Sequence, residues 1–146
     1  MKIGIDASVL IPALHANHPS HAAAARWLSR QMGAHDLVVA QHSVIECFAV
    51  LTRLPGVLRL SADEARHVLA DTVQDHMTVA TLTAHATWTI ADTLAAGSVT
   101  GGRVYDALVI ATLRAAHVEA IATFNVSHFK ELAPDMKIIV PGEHHL

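Results

Sequence analysis

Several kinds of residue and pattern are scarce in this sequence of 146 residues. The single cysteine, Cys47, excludes an intrachain disulfide framework, and its apolar neighbours predict a buried thiol. Aromatic residues make up only 4% of the chain. Base stacking is therefore not expected as the main mode of nucleic-acid recognition, and Trp27 and Trp88 are predicted to pack between helices. No apolar run reaches the roughly 18–20 residues that span a bilayer, so we expect no membrane segment.

The sequence also lacks a large excess of charge of one sign and a recognisable targeting signal. The net charge is −3, which argues against a basic protein that coats nucleic acid in general. Any contact with nucleic acid must then be local, or be mediated by a metal ion that offsets acidic side chains. The N-terminus has no basic stretch followed by a long apolar segment, which predicts a cytoplasmic protein. The twelve histidines show no zinc-protease spacing and are interpreted as surface residues, with His144 and His145 in a flexible tail.

Short apolar strands alternate with amphipathic helices along the chain. Strands are predicted at residues 1–6, 37–40, 77–80, 120–123 and 137–140. Helices are predicted at residues 9–15 with Ser8 as the cap, and at 20–32, 42–54, 61–72, 83–96 and 104–117. This alternation predicts a single α/β domain over residues 1–146. Its three α/β/α layers would hold a short-stranded, mainly parallel sheet flanked by helices.

Three carboxylates lie in apolar stretches where structure alone explains them poorly: Asp6, Glu46 and Asp106. Arg103 lies three positions before Asp106, whereas no Lys or Arg lies three or four positions from Glu46. An ionised carboxylate near a core is costly unless a cation or hydrogen-bond donors satisfy it. Each residue alone has a structural alternative: Asp6 as a helix cap, Glu46 as a half-exposed residue, and Asp106 as an acid in the first turn of a helix. Together, the three predict a cation site.

The predicted sheet brings these side chains to one edge. Asp6 ends the first strand and Asn125 follows the fourth, and sites in parallel sheets form at the carboxyl ends of the strands. Oxygen ligands select Mg²⁺ or Mn²⁺ over zinc or copper. Such an ion activates water and neutralises charge on a phosphoryl group, so the sequence predicts phosphodiester hydrolysis.

Four segments in this order resemble the motifs of PIN-domain ribonucleases, and in particular of the toxins of VapBC-type toxin–antitoxin pairs. The segments are Ile5–Leu10, Ser43–Pro55, Tyr105–Ala111 and Ala122–Phe129. The resemblance covers essentially the whole chain. It implies a PIN-like fold and an endoribonuclease that depends on Mg²⁺ or Mn²⁺. It also implies an RNA substrate, a cognate VapB-type antitoxin and a toxin homodimer.

The resemblance also implies roles for individual residues. Asp6 and Asp106 would be the principal metal ligands, and Glu46 would complete the acidic cluster and position or deprotonate water. Asn125 holds a position that is often Asp in the family, so it keeps a carbonyl oxygen and loses a charge. In a supporting role, Ser8 and Thr123 would orient carboxylates, water or phosphate.

The sequence leaves open alternative roles for residues at the edge of the predicted site, and alternative functions for the protein. Arg103 is a candidate for contact with RNA phosphate or with a neighbouring carboxylate, and a solvated arginine is the alternative there. Arg53 is a candidate for a track that binds RNA. His128 is predicted to pack beside Phe129 rather than to reach the site. The leading hypothesis is a toxin endoribonuclease. The alternatives are a housekeeping RNA-processing or DNA nuclease of the same fold, and a non-catalytic module that binds RNA or protein.

Overall fold

Strands and helices alternate along the chain in a computed structural model that describes residues 1–142. The strands are β1 (Lys2–Ile5), β2 (Asp36–Ala40), β3 (Thr78–Ala80), β4 (Ala120–Ala122) and β5 (Lys137–Ile139). The helices are α1 (Ala7–Leu14), α2 (His21–Gln31), α3 (Gln41–Arg53), α4 (Ala62–Leu69), α5 (Ala84–Ala96), α6 (Arg103–Ala115) and α7 (Val126–Leu132). A 3₁₀ turn occupies Gly56–Leu58, and a π turn at Ala70–Gln74 extends α4. The histidines predicted to form a tail, His144 and His145, lie outside the described residues.

The five strands form one sheet in the order β3-β2-β1-β4-β5, and every neighbouring pair is parallel. The central strand is β1, whose Ile5 is in register with Val39 of β2 and Ala122 of β4. Because helices cover both faces of a parallel sheet, its strands are apolar without alternation, as the buried segment Ala120–Ala122 shows. The predicted α/β/α class is confirmed.

Two hydrophobic clusters, one on each face of the sheet, form the core. Ile3 and Ile5 of β1 point into the cluster shared with α1, α2, α3 and α4. The other cluster contains Ile121 of β4, Leu113 of α6 and Phe129 of α7. This division follows from the alternation of side chains along each strand, and it completes the three layers.

Some local predictions fail. The N-cap of α1 is Asp6, whose side chain accepts the Ser8 backbone N–H, so the expected Ser8 cap is wrong. The sequence did not predict α7 at all. Trp27 is buried as predicted, whereas Trp88 on α5 is 71% exposed, so its predicted burial between helices is wrong. Within residues 1–142, no helix is both long and apolar enough to cross a membrane.

Candidate active site

The carboxyl ends of β1 and β4 open into a cleft of about 640 Å³. The cleft lies between the first turn of α1, the middle of α3 and the start of α6. Six of the residues singled out from the sequence line it: Asp6, Ser8, Glu46, Arg53, Asp106 and Asn125. The parallel sheet therefore brings together side chains that are far apart in the chain, as the sequence predicted.

Asp6 is the most constrained of these side chains. It is only 5% exposed, and its Oδ2 accepts hydrogen bonds from the Ser8 hydroxyl at 2.6 Å and the Thr123 hydroxyl at 2.9 Å. The Ser8 backbone N–H, at 3.4 Å, is a third donor to the same oxygen. These bonds satisfy a buried carboxylate without a positive side chain, and all three fall on Oδ2.

The two hydroxyls that hold Asp6 are themselves held by the loop after β4. The backbone N–H of Phe124 donates to Ser8 Oγ at 2.9 Å, and that of Asn125 donates to Thr123 Oγ1 at 2.9 Å. Each hydroxyl therefore donates to Asp6 and accepts from the backbone. The network fixes the orientation of Asp6 relative to Asn125.

Glu46 and Asp106 are less buried than their apolar neighbours in sequence had predicted. Glu46 has a side chain 46% exposed, and Asp106 one that is 26% exposed. Partial burial, followed by the negative charge of Asp6, raises the pKa of Asp106. Partial burial also raises the pKa of Glu46, against the opposing effect of His42, and the charges of Asp6 and Asp106 add to it. The three carboxylates thus share one electrostatic environment that a cation would relieve.

Two histidines contact these carboxylates, and the sequence reasoning missed both contacts. His42 Nε2 lies 3.9 Å from Glu46 Oε2, and His128 Nδ1 lies 3.3 Å from Asp106 Oδ2. The prediction that His128 packs beside Phe129 is wrong, because Phe129 is fully buried while the His128 side chain is 54% exposed and contacts Asp106. The i, i+4 spacing of His42 and Glu46 was a usable signal, since residues four apart share a helical face.

The two candidate arginines differ in position. Arg53 lines the cleft. Arg103 Nη2 lies 2.9 Å from Glu131 Oε1 of α7, and both side chains are largely exposed. The charge of Arg103 also makes a small contribution that lowers the pKa of Asp106. Arg103 thus links the start of α6 to α7 beside the cleft.

The donor set fits a hard divalent cation better than zinc. The cleft-lining ligand atoms from the sequence prediction are carboxylate and amide oxygens. Across residues 1–142, no three His, Cys, Asp or Glu side chains lie close enough together to hold an ion by themselves. Oxygen donors of this kind are the type that Mg²⁺ binds, commonly through one or two carboxylates with several waters retained.

Comparison with known proteins agrees with this architecture. The PIN domain model matches residues 3–133. Ribonuclease VapC27 of Mycobacterium tuberculosis is 36% identical over 121 residues, which are 83% of this chain and 82% of that protein. Ribonuclease VapC40 of the same species is 38% identical over 114 residues, or 78% of this chain and 80% of that protein.

Solved structures share the fold at lower identity. VapC20 of M. tuberculosis, a toxin that cleaves the sarcin–ricin loop, superposes with a TM-score of 0.70 at 17% identity, covering 88% of this chain and 94% of that one. VapBC2 from Rickettsia felis, bound to a promoter DNA fragment, gives a TM-score of 0.69 at 12% identity over 97% and 99% of the two chains. The sheet order, the cleft and the relatives agree: the chain belongs to the PIN domain family, among the VapC ribonucleases.

Proposed function

We propose that this protein is a metal-dependent endoribonuclease that hydrolyses RNA phosphodiester bonds in the cytoplasm. It would be the toxin of a type II toxin–antitoxin pair, with residues 1–146 forming one PIN-like domain. The observation that carries the proposal is the cleft that Asp6, Glu46 and Asp106 all line. It occurs in a chain that is 36% identical to a protein named as a ribonuclease.

The roles proposed for the cleft residues follow from their contacts. Asp6 and Asp106 would hold a Mg²⁺ or Mn²⁺ ion, because both carry oxygen ligands at the edge where the strands end. Asp6 is held for this role by Ser8 and Thr123 through its Oδ2. When bound, the ion would supply charge neutralisation for a phosphoryl group and a more acidic water.

The remaining residues would act on water and substrate. Glu46, whose pKa is raised, would accept a proton from the attacking water, since a general base works best when its pKa approaches the working pH. The Asn125 side chain would orient water or phosphate at the edge of the cleft. Arg53, which lines the same cleft, and the neighbouring Arg103 would contact RNA phosphates.

The proposed partners are an RNA substrate, a cognate VapB-type antitoxin and a second copy of the chain. Support for an antitoxin comes from the relatives, which carry VapC names. Among the proteins of the same fold are VapBC2 and FitAB, the latter solved on a DNA fragment with a TM-score of 0.67 at 15% identity over 98% of this chain and 99% of that one.

The experiment is an RNA cleavage assay in Mg²⁺ or Mn²⁺, with and without EDTA, for wild type and Asp6→Asn. We expect EDTA to abolish cleavage. We expect Asp6→Asn to lower the rate at least about 100-fold, since even outer partners of metal ligands cost roughly 10–100-fold. Asp36→Asn is the matched control, because Asp36 is exposed at the opposite end of the sheet. Cleavage that survives EDTA, or survives Asp6→Asn, would reject the proposal.

The toxin assignment has its own test. Expression of the wild-type protein should arrest growth, and co-expression of the antitoxin encoded beside it should restore growth. Asp6→Asn should not arrest growth at a matched level of protein. An active nuclease whose expression leaves growth unchanged would favour the housekeeping alternative.

A further inference from the structure

Two aromatic rings stack at the rim of the carboxylate cleft. The rings of His42 and Tyr105 have centroids 5.0 Å apart and planes only 4° apart. His42 lies one helical turn before Glu46 in α3, and Tyr105 directly precedes Asp106 in α6. The stack therefore joins the two helices that carry these carboxylates, and it fixes the plane of Tyr105 beside them.

The stacked pair remains open to an outside ligand. Tyr105 is 56% exposed although it is a large hydrophobic side chain. His42 and Tyr105 line both the carboxylate cleft and a neighbouring groove of about 360 Å³ whose other walls include Leu82, Ile90 and Leu108. The two rings thus form the ridge between an acidic cleft and an apolar groove. A ligand with a charged part in the cleft would therefore place its planar, apolar part against these two rings.

We infer that Tyr105, held flat by His42, is the platform on which a nucleobase of the substrate stacks, beside the phosphate that enters the carboxylate cleft. This inference rests on the proposed function. It assigns to Tyr105 the contact that selects an unpaired nucleotide next to the carboxylate cleft. Stacking needs a π face but no particular base, so the platform favours an exposed base without reading its identity. A base kept inside a duplex cannot reach such a ring.

The low aromatic content of the sequence argued against base stacking, but the position of a ring matters more than the number of rings. One ring placed next to a scissile phosphate is sufficient when a second ring fixes its plane. Tyr105 meets that condition because its neighbour in the chain, Asp106, lines the same cleft. Trp88 does not, because it is exposed on α5 and lines neither the cleft nor the groove.

Binding can be measured apart from cleavage in the Asp6→Asn background. The probes are a fluorescein-labelled ten-nucleotide RNA and an abasic ribose–phosphate chain of the same length and charge, followed by fluorescence anisotropy. A third probe carries one 2-aminopurine, whose fluorescence falls on stacking. Tyr105→Ala and Tyr105→Leu test the ring, Tyr105→Phe conserves it, and Trp88→Ala is the matched loss of an exposed aromatic side chain.

The parent protein should bind the RNA more tightly than the abasic chain and should quench 2-aminopurine. Tyr105→Ala and Tyr105→Leu should weaken RNA binding by roughly five- to hundred-fold and leave binding of the abasic chain unchanged. Tyr105→Phe and Trp88→Ala should behave as the parent. Circular dichroism and thermal unfolding establish that each variant is folded. Because two different substitutions remove the ring, the test still stands if one of them fails to fold.

The platform is rejected if the folded Tyr105→Ala protein keeps the preference for base-bearing RNA, or if the parent has no such preference. In either case the ridge serves something other than a base, such as a protein partner. The proposed function is tested separately, by the metal-dependent cleavage assay. A chain that stacks bases through Tyr105 but never cleaves RNA would retain the platform and lose the nuclease assignment.

Discussion

His128 Nδ1 of α7 lies 3.3 Å from Asp106 Oδ2 of α6, so an imidazole faces one of the cleft carboxylates directly. Burial and the charge of Asp6 raise the pKa of Asp106, whereas the charge and hydrogen bond of His128 lower it. A second contact links the same two helices, since Arg103 of α6 pairs with Glu131 of α7 at 2.9 Å. Helix α7 therefore places a histidine and a carboxylate against the start of α6, beside the cleft.

The first prediction concerns the pKa of Asp106. Replacing His128 by Ala removes the neighbour that lowers this pKa, so the pKa should rise further. At a given acidic pH less of the carboxylate is ionised, and the acid limb of the cleavage profile should move to higher pH. Carbon-13 NMR titration of the Asp106 carboxyl measures the first effect, and rates against pH measure the second.

His85→Ala is the control for this titration, because His85 is exposed on α5 and lines neither the cleft nor the groove. It should leave both the Asp106 titration and the acid limb unchanged. An Asp106 pKa that stays constant or falls in His128→Ala would contradict the assigned contact.

The second prediction is a pH-dependent gain in stability from Glu46→Gln. Because the pKa of Glu46 is raised in the folded state, ionisation of Glu46 opposes folding. This loss of stability is fully present at pH values above the pKa of Glu46 in the folded state, and it is absent at pH values below its pKa in the unfolded state. Without metal, Glu46→Gln should raise the free energy of unfolding at neutral pH by about 0.5 kcal/mol, a value reduced by solvent screening of a half-exposed group. The gain should vanish near pH 4.

Glu64→Gln provides a control of opposite sign. Hydrogen bonds from the backbone and side chain of Ser61 lower the pKa of Glu64, so its ionised form stabilises the fold. That stability is present above the unfolded pKa and is lost as the pH falls through the folded pKa. Urea unfolding in EDTA should therefore show Glu64→Gln less stable than wild type at neutral pH, and the difference should shrink in acid. Equal signs for the two variants would refute the electrostatic account.

The third prediction concerns the buried hydroxyl of Thr123. Thr123→Val keeps the shape of the side chain but removes the donor to Asp6 Oδ2 and the acceptor for the Asn125 N–H. Leaving these groups unsatisfied should cost about 1–3 kcal/mol of unfolding free energy. The rate of cleavage should fall as well, because Asp6 loses one of the bonds that orient it.

Thr112→Val is the matched control, because its buried hydroxyl donates only to the Leu108 carbonyl of its own helix. It should cost less stability and leave cleavage intact. Urea unfolding and initial rates on the same preparations compare the two variants. A Thr123→Val protein that equals Thr112→Val in both measurements would show that the Asp6 network has no special role.

The fourth prediction is the effect of restoring a carboxylate at Asn125. Asn125→Asp adds a charged oxygen ligand to the cleft that already contains Asp6 and Asp106. Mg²⁺ or Mn²⁺ should therefore bind more tightly, while the metal-free protein should become less stable through added repulsion. Isothermal titration calorimetry and thermal unfolding in EDTA measure the two effects.

Asn17→Asp adds the same charge on an exposed turn outside the cleft and is the control. It should leave metal affinity unchanged. If Asn125→Asp binds Mg²⁺ and Mn²⁺ no better than wild type does, Asn125 is not part of the cation site.

The sequence was most informative where the signal is local. Strand and helix positions followed from apolar periodicity and turn residues, and α4 begins at a capping box formed by Ser61 and Glu64. Helix α7 escaped prediction because it has only seven residues, of which Phe129 alone is buried, so periodicity is too short to detect. Apolar neighbours also overstated burial: Ile45 beside Glu46 is 66% exposed.

From the sequence alone followed the α/β class and the expectation that Asp6, Glu46 and Asp106 lie at one edge of the sheet, because strand ends in a parallel sheet share that edge. Tertiary structure alone decided what surrounds those carboxylates. Thr123 reaches Asp6 across 117 positions of the chain, and His128 meets Asp106 from another helix. The ring of Tyr105 gains its orientation only where α3 places His42 against it. Such contacts depend on how packed elements are placed relative to one another, and no local pattern in the sequence encodes that placement.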